Sequence, residues 1–487
     1  MISDAKHAYR TLVARDARFD GLFFVGVSTT GIYCRPICPA RTPREDRCAF
    51  FNSAVLAERE GYRACFRCRP ELAPGSASVD ALSRLAMEAS ERIDAGALDH
   101  GGSIETLARS LNVSSRHLRR VLEGEVGVPP HALAESRRLA TAKLLLTDTQ
   151  LSMAQIAFAS GFGSVRRFND AFQKRFGGPP RRLGRAGATV SETGPLTLKL
   201  AYRAPFDWQM LVGYLAPRAI PQLEEVQGDV WRRLVHIEGH TGLIEVRHRP
   251  EARQIWATVD TSLARHIRSI AIRLRYVFDL DADPGRIAAA LRPSLPQCLQ
   301  RSPGMRVPGC FDAFELAVRA ILGQQVSVRG ASTLASRLVV AFGQEHATGD
   351  ALNRTFPLAS QLALVPATTL AKIGLPLKRA ETIRMLAERV AKGEVVLDAP
   401  LRHAAAVEET MTALRNQPGI GPWTAEYIAM RALRWPDAFV AGDLGVRKAM
   451  GGADGPITER EARERAEAFR PYRAYAVLHL WHVPTAT

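Results

Sequence analysis

The sequence predicts a multidomain chain with a small α/β domain, an all-α domain, an α+β domain with an antiparallel sheet, and a second all-α domain. The chain has 487 residues, about three times the usual length of one domain. Five of its seven cysteines precede residue 73, and the spacing of apolar residues later changes from helical to alternating and back. Turn-rich stretches at 73–78 and 184–195 mark the first two boundaries. The predicted domains are 1–75, 79–183, 195–275 and 276–487.

The composition favours a polyanionic partner. Lysine and arginine total 65 against 49 acidic residues, which gives a formal net charge of +16 and a pI near 10.0. Such a charge suits binding to DNA, although a merely solubilising surface gives the same total. No apolar run approaches the about 20 residues of a membrane span, and the start lacks the apolar core of a secretory signal. We therefore expect a cytoplasmic, nucleoid-associated protein with no membrane partner.

The first domain contains four cysteines with the spacing of a metal site. Cys34 and Cys38 form a C-x3-C pair, and Cys65 and Cys68 form a C-x2-C pair after a gap of 26 residues. Two chelating pairs of thiolates suit tetrahedral zinc, and disulfides are disfavoured in the cytosol, so we expect one Zn2+ per chain. The spacing alone leaves open that the metal only folds a short segment.

The context of these cysteines, FFVGVSTTGIYCRPICPAR and GYRACFRCRP, closely resembles the N-terminal domain of the Ada family of methyl-phosphotriester repair proteins. The resemblance covers nearly all of residues 1–72 and implies that Cys34 is both zinc ligand and methyl acceptor. Bound zinc keeps its sulfur as a thiolate, which can attack the methyl carbon of an alkylated phosphate. Methylation also removes a negative charge that faces DNA. Arginines near the ligands are candidates for phosphate contacts, or else a solvated rim: Arg35, Arg41, Arg44, Arg67 and Arg69.

The second domain contains a duplicated helix pair. Ser103 and Ser152, 49 residues apart, each begin a capped helix that is followed by a short turn and a second helix. With the GFGS signature at 161–164, the pattern resembles the AraC-family DNA-binding domain over residues 80–183. The resemblance implies DNA contacts by the second helix of each pair, whereas a plain helical bundle is the alternative. The basic candidates are Arg116, His117, Arg119, Arg120, Arg166, Arg167, Lys174 and Arg175.

The third domain changes period. Leu196, Leu198 and Leu200 alternate with polar neighbours, and residues 244–248 and 255–259 repeat the alternation. A period of two is typical of half-buried strands. The pattern predicts an antiparallel sheet with helices between its strands.

The fourth domain is helical and contains a G-x-G turn. The segment QPGIGPWTA at 417–425 joins two helices, and the second begins at Pro422. Backbone N–H groups around Gly419 and Gly421, together with the helix dipole, form an anion site that fits a DNA phosphate, although a plain helix connection has the same pattern. Asp443 follows in FVAGDLGVR, where an ordinary helix N-cap is one interpretation.

These motifs, with APFDW at 204–208, PGCFDAFE at 308–315 and ILGQQVS at 321–327, resemble the helix-hairpin-helix DNA glycosylases of the AlkA, 3-methyladenine type. The resemblance runs from Leu196 to His482 and implies that Asp443 is the catalytic carboxylate, which stabilises an oxocarbenium-like sugar. It places Gln324 and Gln325 against DNA. It also implies a lesion pocket whose rings stack on a flipped, cationic base, although a single ring of this kind more often belongs to a core. The pocket residues are Tyr214, Trp423, Tyr427 and Trp481.

Four features qualify this resemblance. Trp423 stands where strand-cutting members carry a lysine nucleophile, so we expect no Schiff base there. No cysteine follows Cys310, which argues against the four-cysteine iron-sulfur cluster of another branch. Gln325 replaces the leucine wedge of the best-known pattern, and Leu444 replaces an aromatic residue. A role for Gln325 as a polar wedge stays open.

The resemblances together predict a small zinc α/β domain, an all-α double helix-turn-helix domain, an α+β antiparallel-sheet domain and an all-α helix-hairpin-helix glycosylase domain. The expected activity is monofunctional excision of 3-methyladenine and 7-methylguanine, with stoichiometric methyl transfer to Cys34. The expected partner is double-stranded DNA, both damaged and promoter DNA, and RNA polymerase is a further candidate. The alternative is a methylation-sensing transcription regulator whose glycosylase half is inactive.

Overall fold

The computed structural model describes residues 5–74, 84–94, 96–99, 101–148, 151–183, 195–397, 404–452 and 455–482. Residues 75–78 and 184–194 of the predicted linkers lie outside these ranges. No helix in the described ranges is long and apolar enough to cross a membrane. The chain divides into two compact units, one of Met1–Ala204 with Arg249–Ile272, and one of Pro205–His248 with Arg273–Thr487.

The N-terminal part of the first unit is a small α/β domain followed by helices. The strands form one sheet in the order β3-β1-β2-β4, in which β1 is antiparallel to β2 and β3, and β2 is parallel to β4. A core of Ala8, Leu12, Phe23 and Val25 packs beneath it. In chain order the elements are α1 Ala5–Ala14, β1 Phe24–Val27, β2 Ile32–Cys34, β3 Cys48–Phe51, α2 Ala54–Arg59, β4 Arg63–Ala64, α3 Arg84–Asp94, α4 Ile104–Ser110, α5 Ser115–Glu125, α6 Pro130–Asp148, α7 Met153–Ala159, α8 Val165–Phe176 and α9 Pro180–Leu183.

Helices α4–α5 and α7–α8 are the two predicted helix pairs, joined by the long helix α6. Each of the four begins with a serine whose hydroxyl accepts a backbone N–H three residues later, which satisfies an otherwise unpaired donor. The second helix of each pair buries one apolar face, so its opposite face points to solvent. The duplicated helix-turn-helix fold is thus confirmed. The capping serines are Ser103, Ser114, Ser152 and Ser164.

The remaining strands are antiparallel, as the alternating pattern predicts. In the first unit β5 pairs with β9, and Leu196, Leu198 and Leu200 of β5 are buried. In the second unit β7 pairs with β6 and β8. The elements are β5 Leu196–Ala201, α10 Trp208–Leu215, β6 Glu224–Gln227, β7 Val230–Ile237, β8 His240–Arg249, β9 Gln254–Val259, α11 Ile267–Val277, α12 Pro284–Leu291, α13 Pro296–Arg301, α14 Ala313–Leu322, α15 Val328–Phe342, α16 Ala359–Leu364, α17 Ala367–Ala371, α18 Leu377–Ala391, α19 Ala404–Arg415, α20 Pro422–Arg431, α21 Leu444–Gly451, α22 Glu459–Ala466 and α23 Arg473–Trp481.

A buried ion network fixes α14 against strands β6 and β7 in the second unit. Arg233 contacts Glu224 at 3.0 Å and also pairs with Glu315. Arg319 contacts Glu224 at 2.8 Å and Glu315 at 2.9 Å. Buried charges are tolerated only when each is paired, so these four side chains hold one arrangement. The network thereby positions the loop that follows α14, which carries Gln324 and Gln325.

Candidate active site and metal centre

The four predicted ligand cysteines converge in the small α/β domain. Cys34 ends β2, and Cys65 follows β4, which runs parallel to β2. The four sulfur atoms all lie within 4.8 Å of one another. Cys38, Cys65 and Cys68 are buried as residues, whereas Cys34 keeps part of its surface exposed. The fold therefore gathers the four predicted zinc ligands at one place.

The close spacing of the four thiols fits a cation at their centre. Hydrogen bonds with Cys38 and Cys65 raise the pKa of Cys34, whereas the bond from Cys34 lowers the pKa of Cys38 to about 7. Thiols so close together cannot all ionise, because each thiolate opposes the next. A divalent cation removes this conflict and holds all four sulfurs as thiolates. The donor set and its spacing therefore fit Zn2+.

The arginines around the cysteines divide into two groups. Arg35 is buried: its Nε donates to Asp20 at 2.7 Å, Nη2 also contacts Asp20, and its backbone N–H lies 3.3 Å from the Cys68 sulfur. The structure contradicts a phosphate contact by Arg35, because its charge is already neutralised inside the fold. Arg69 contacts Glu71 at 3.0 Å. The exposed candidates are Arg41, Arg44 and Arg67.

Several basic side chains of the predicted recognition helices point to solvent. Arg119 of α5 is exposed and lies 3.7 Å from Glu105, and Arg166 and Arg167 of α8 are exposed. Arg175 differs, because it lies 3.3 Å from Glu58 of α2 with most of its side chain covered. Arg119, Arg166 and Arg167 therefore stay candidates for DNA contact, and Arg175 instead joins α8 to the α/β domain.

The G-x-G turn lies between α19 and α20 and is held by neighbouring side chains. Gly419 has a φ of +87°, a left-handed conformation that favours glycine, and a Cβ there would lie 2.1 Å from Thr382 Oγ1. Gln324 Nε2 donates to the Gly419 carbonyl at 2.9 Å and to Thr424 Oγ1 at 3.0 Å. Gly421 is the N-cap of α20. Gln324 thus links the loop after α14 to the hairpin.

Gln325 occupies a different position from its neighbour. Its side chain is exposed, and its φ of +56° is unusual for a residue with a side chain. Val326 and Val328 beside it are also exposed, at 39% and 41%. The loop therefore presents one amide and two apolar side chains outward.

Asp443 combines the two roles that its sequence context allows. It is the N-cap of α21, since Oδ1 accepts the Val446 backbone N–H at 3.0 Å. In addition, Trp481 Nε1 donates to Oδ1 at 3.0 Å and Trp423 Nε1 donates to Oδ2 at 3.1 Å. Each carboxylate oxygen therefore accepts an indole N–H, and the two bonds fix the orientation of the carboxylate.

The predicted pocket aromatics form one cluster next to Asp443. Trp423 and Tyr427 stack with centroids 5.2 Å apart and an interplanar angle of 13°. Tyr214 and Trp481 are also nearly parallel, at 14°, but their centroids are 6.5 Å apart. The hydroxyls of Tyr214 and Tyr427 lie 3.1 Å apart. The structure thus brings together all four predicted pocket residues and Asp443.

Sequence reasoning missed two arginines at this cluster. Arg431 is buried and donates to the Tyr427 hydroxyl at 2.7 Å and to the Pro308 and Gly309 carbonyls. Arg218 lies over the Tyr214 ring, 3.7 Å from its centroid. Each arginine follows its tyrosine by four residues. On a helix that spacing places two side chains on the same face, as for Tyr427 and Arg431 in α20, so it was the available signal for Arg431.

The arginine charges alter the two tyrosines differently. Burial raises the pKa of Tyr214 above its usual value. Burial acts in the same direction on Tyr427, but the Arg431 charge and the bond from Tyr214 outweigh it, and the pKa of Tyr427 is lowered. Tyr427 is therefore the more acidic phenol of the pair.

Four family models match the chain. Residues 7–71 match the metal binding domain of Ada, 107–186 a helix-turn-helix domain, 197–312 the AlkA N-terminal domain, and 318–471 the HhH-GPD superfamily of base excision DNA repair proteins. A solved 3-methyladenine DNA-glycosylase from Archaeoglobus fulgidus has a TM-score of 0.50 and 24% identity, over 58% of this chain and 97% of that one. This likeness supports the fold of the C-terminal part.

Two curated relatives define the relationship by sequence. DNA-3-methyladenine glycosylase 2 of Escherichia coli is 32% identical over 58% of this chain and 96% of its own. The probable bifunctional transcriptional activator/DNA repair enzyme AlkA of Mycobacterium tuberculosis is 39% identical over 99% of this chain and 97% of its own. Because the second match spans nearly the whole of both chains, this chain belongs to the family of bifunctional transcriptional activator/DNA repair enzymes that join an Ada-type metal domain to an AlkA-type glycosylase.

Proposed function

We propose that the C-terminal half excises alkylated purines, 3-methyladenine and 7-methylguanine, from double-stranded DNA as a monofunctional N-glycosylase. The observation that supports this most is the Asp443 carboxylate, held by two indole N–H groups beside four aromatic rings. The Tyr214 and Trp481 centroids are 6.5 Å apart, close to twice the about 3.4 Å spacing of stacked bases. This spacing suits a flat base that enters between the two rings.

The proposed reaction breaks the bond between the sugar C1′ and the base nitrogen, and the electron pair leaves with the base. The Asp443 carboxylate stabilises the positive charge that develops on the sugar and accepts a proton from the water that adds to C1′. An indole at Trp423 provides no amine to attack C1′, so the product is an abasic site in an unbroken strand. The hairpin around Gly419 and Gly421 binds a phosphate, and Gln325 fills the space left by the flipped base.

The N-terminal half has a second proposed activity, methyl transfer from a DNA methyl-phosphotriester to Cys34. Zinc bound by Cys34, Cys38, Cys65 and Cys68 keeps these sulfurs as thiolates at neutral pH. The Cys34 sulfur forms a bond to the methyl carbon, the methyl–oxygen bond breaks, and the phosphate leaves as an ordinary diester anion. The partial exposure of Cys34 among buried ligands supports its assignment as the acceptor.

The helix-turn-helix domain is proposed to bind promoter DNA through Arg119, Arg166 and Arg167, and to act with RNA polymerase in the nucleoid. An iron-sulfur cluster is not part of the proposal. Only Cys48, Cys298 and Cys310 remain outside the zinc site, fewer than the four thiolates that such a cluster takes.

The variant Asp443→Asn tests the glycosylase assignment. We expect its single-turnover release of 7-methylguanine to fall by about 100-fold to 1,000-fold, because one preorganised charge at the transition state is lost. Asparagine is also a good N-cap, so α21 should keep its start. The matched control is Asp283→Asn, which changes another N-cap, that of α12, and should excise normally.

The thermal midpoint and the affinity for abasic-site DNA of Asp443→Asn should match those of the wild type. Cleavage within a few-fold of the wild type would remove Asp443 from the reaction. No base release by the wild type would instead favour a transcription regulator with an inactive glycosylase half. A borohydride-trapped protein–DNA adduct would contradict the monofunctional assignment.

A further inference from the structure

We propose that the Tyr427 hydroxyl donates a hydrogen bond to the base that is being excised, and that Tyr214 and Arg431 hold it ready to do so. This inference rests on the proposed glycosylase activity and concerns which bases the same pocket releases. It predicts that the Tyr427 hydroxyl contributes more to the release of damaged purines without a positive charge than to the release of cationic alkylated purines. Three observations support it: the number of donors, the exposure of the two phenols, and the charge beside them.

The number of donors leaves one phenolic proton without a protein acceptor. Two hydroxyls, 3.1 Å apart, carry two protons, and their mutual hydrogen bond uses one of them. Arg431 only donates, so its bond to Tyr427 uses neither. Within the described ranges neither hydroxyl has another hydrogen-bond partner. A donor of this kind at a covered site is expected to bind water or a ligand.

The spare proton belongs to Tyr427. Its oxygen accepts the Arg431 N–H, and its second lone pair suits the Tyr214 O–H. A hydroxyl that accepts two hydrogen bonds is a stronger donor, because each bond polarises the next. Tyr427 is also partly exposed, whereas Tyr214 is buried at 6%. We therefore assign the spare proton, and the bond to a bound base, to Tyr427.

The Tyr427 donor and the Asp443 carboxylate lie next to different rings of the aromatic cluster. Trp481 donates to Asp443, and the Tyr214 hydroxyl lies 3.1 Å from the Tyr427 hydroxyl, while the ring centroids of Trp481 and Tyr214 are 6.5 Å apart. A base that binds between these two rings has the Asp443 carboxylate on the Trp481 side, where the sugar cation needs it. It has the polarised Tyr427 hydroxyl on the Tyr214 side. Negative charge that builds up on a leaving base thus meets a donor backed by the Arg431 guanidinium.

This arrangement separates two classes of substrate by charge. When the bond to the sugar of a neutral purine breaks, the electron pair makes the base anionic, and a donor to its acceptor atoms gains strength in the transition state. A cationic purine leaves as a neutral molecule and gains less from the same donor. The nearby Arg431 charge also repels a cationic base. Tyr427 therefore matters more for neutral purines than for cationic ones.

The test compares Tyr427→Phe with the wild type on two DNA duplexes, one containing hypoxanthine as the neutral purine and one containing 7-methylguanine as the cationic purine. The full chain is used in single-turnover reactions with enzyme in excess, so that the rates report the chemical step. We expect the rate on hypoxanthine to fall by about 10-fold to 100-fold and the rate on 7-methylguanine to change by less than about 3-fold. Tyr214→Phe should show the same preference with a smaller effect.

Tyr276→Phe is the matched control, because it removes the hydroxyl of another tyrosine in the same unit, whose ring lies under Arg434. Both rates should then stay at the wild-type value. Equal losses on the two duplexes, or no loss on hypoxanthine, would overturn the inference. So would a wild-type chain that releases 7-methylguanine but no hypoxanthine. A wild-type chain that releases neither base would contradict the glycosylase activity itself. Thermal midpoints equal to that of the wild type exclude misfolding as the cause of a selective loss.

Discussion

At the scale of single residues, the site is defined by side chains that serve the fold and the chemistry together. Asp443 begins α21 and accepts two indole N–H groups, so the bonds that fix the helix start also fix the carboxylate. Arg431 is likewise bonded to the Pro308 and Gly309 carbonyls while it donates to Tyr427. Such sharing makes the site rigid, because no member moves without breaking structural bonds.

The indole N–H of Trp481 can be tested apart from its ring. Trp481→Phe keeps an aromatic face in the pocket but removes the donor to Asp443 Oδ1. A hydrogen bond to a charged group contributes about 1.5–3 kcal/mol, so we expect single-turnover base release to fall by about 10-fold to 100-fold. Affinity for abasic-site DNA should change little. Trp435→Phe, in the same unit and outside the pocket, should excise as the wild type does, and a wild-type rate for Trp481→Phe would show that the bond is dispensable.

At the scale of elements, the hairpin between α19 and α20 depends on one glycine and not on the other. Gly419 has a φ of +87° and is packed against Thr382, whereas Gly421 has a φ of −86° and open space around it. We expect Gly419→Ala to lower the free energy of unfolding by about 1–3 kcal/mol and to weaken DNA binding. Gly421→Ala should stay within about 0.5 kcal/mol of the wild type. Equal thermal midpoints for the two variants would contradict this account.

Two buried groups at helix α23, His479 in the helix and Asp279 packed against it, make the free energy of unfolding depend on pH in opposite directions. Burial, with His482 nearby, lowers the pKa of His479 to about 4, and burial raises the pKa of Asp279, which accepts from Tyr475 of α23, to about 6. The contribution of neutral His479 to the free energy of unfolding is fully present above about pH 6.5 and is lost as the pH falls toward 4. The contribution of protonated Asp279 to the free energy of unfolding is fully present below about pH 4 and is lost as the pH rises through 6.

Chemical unfolding between pH 4 and 7 therefore distinguishes the two variants. His479→Gln should lose less stability than the wild type as the pH falls, and Asp279→Asn should lose more, each by at most about 1.4 kcal/mol per pH unit. The comparison is between slopes, so a constant cost of either substitution does not affect it. Parallel pH profiles for the three chains would contradict both assignments.

The sequence predicted elements where the signal is local and missed partners that only the fold brings together. Cysteine spacing, serine caps and the alternation around Leu198 are local, and the structure confirms the four-cysteine cluster, the helix pairs and the antiparallel strands they predict. The burial of Arg35 depends on Asp20, fifteen residues earlier in the chain. The Tyr214–Tyr427 contact joins residues 213 positions apart. No local pattern contains either pairing.

At the scale of the whole molecule, the first unit joins the α/β domain and the helix-turn-helix domain to part of the AlkA-type sequence through one buried and two half-buried arginines. Arg203, fully buried, donates to the Asp20 carbonyl at 2.9 Å and to the Pro74 carbonyl at 3.3 Å. Arg268 donates to Asp99 at 2.8 Å, and Arg138 donates to the same carboxylate at 2.7 Å. Buried charges that lose a partner are costly. The zinc and helix-turn-helix domains are therefore built into one unit with this segment.

Within that unit the loop that carries Cys65 and Cys68 packs against helices α6 and α8 of the helix-turn-helix domain. Lys143 of α6 is buried at 1% exposure and donates to the Cys65 carbonyl at 2.7 Å and to Glu71 at 2.8 Å. Phe66, in the same loop, packs edge-on against Phe176 at the end of α8, with centroids 5.7 Å apart. A change of charge at the zinc cluster thus occurs close to a helix that we propose binds DNA.

We therefore expect methylation of Cys34 to strengthen binding of the full chain to its promoter DNA. A methylated sulfur is no longer an anion, so the repulsion between the cluster and DNA phosphates falls, and one charge removed near the interface corresponds to about fivefold in affinity at moderate salt. The chain is first incubated with methyl-phosphotriester DNA, or with unmodified DNA as the control, and mass spectrometry identifies the methylated cysteine. Affinity for fragments selected from random DNA is then compared at one salt concentration. Equal affinities would contradict the effect of methylation on promoter binding and leave an N-terminal domain that only repairs. A methyl group on Cys38, Cys65 or Cys68 in place of Cys34 would overturn the assignment of Cys34 as the methyl acceptor.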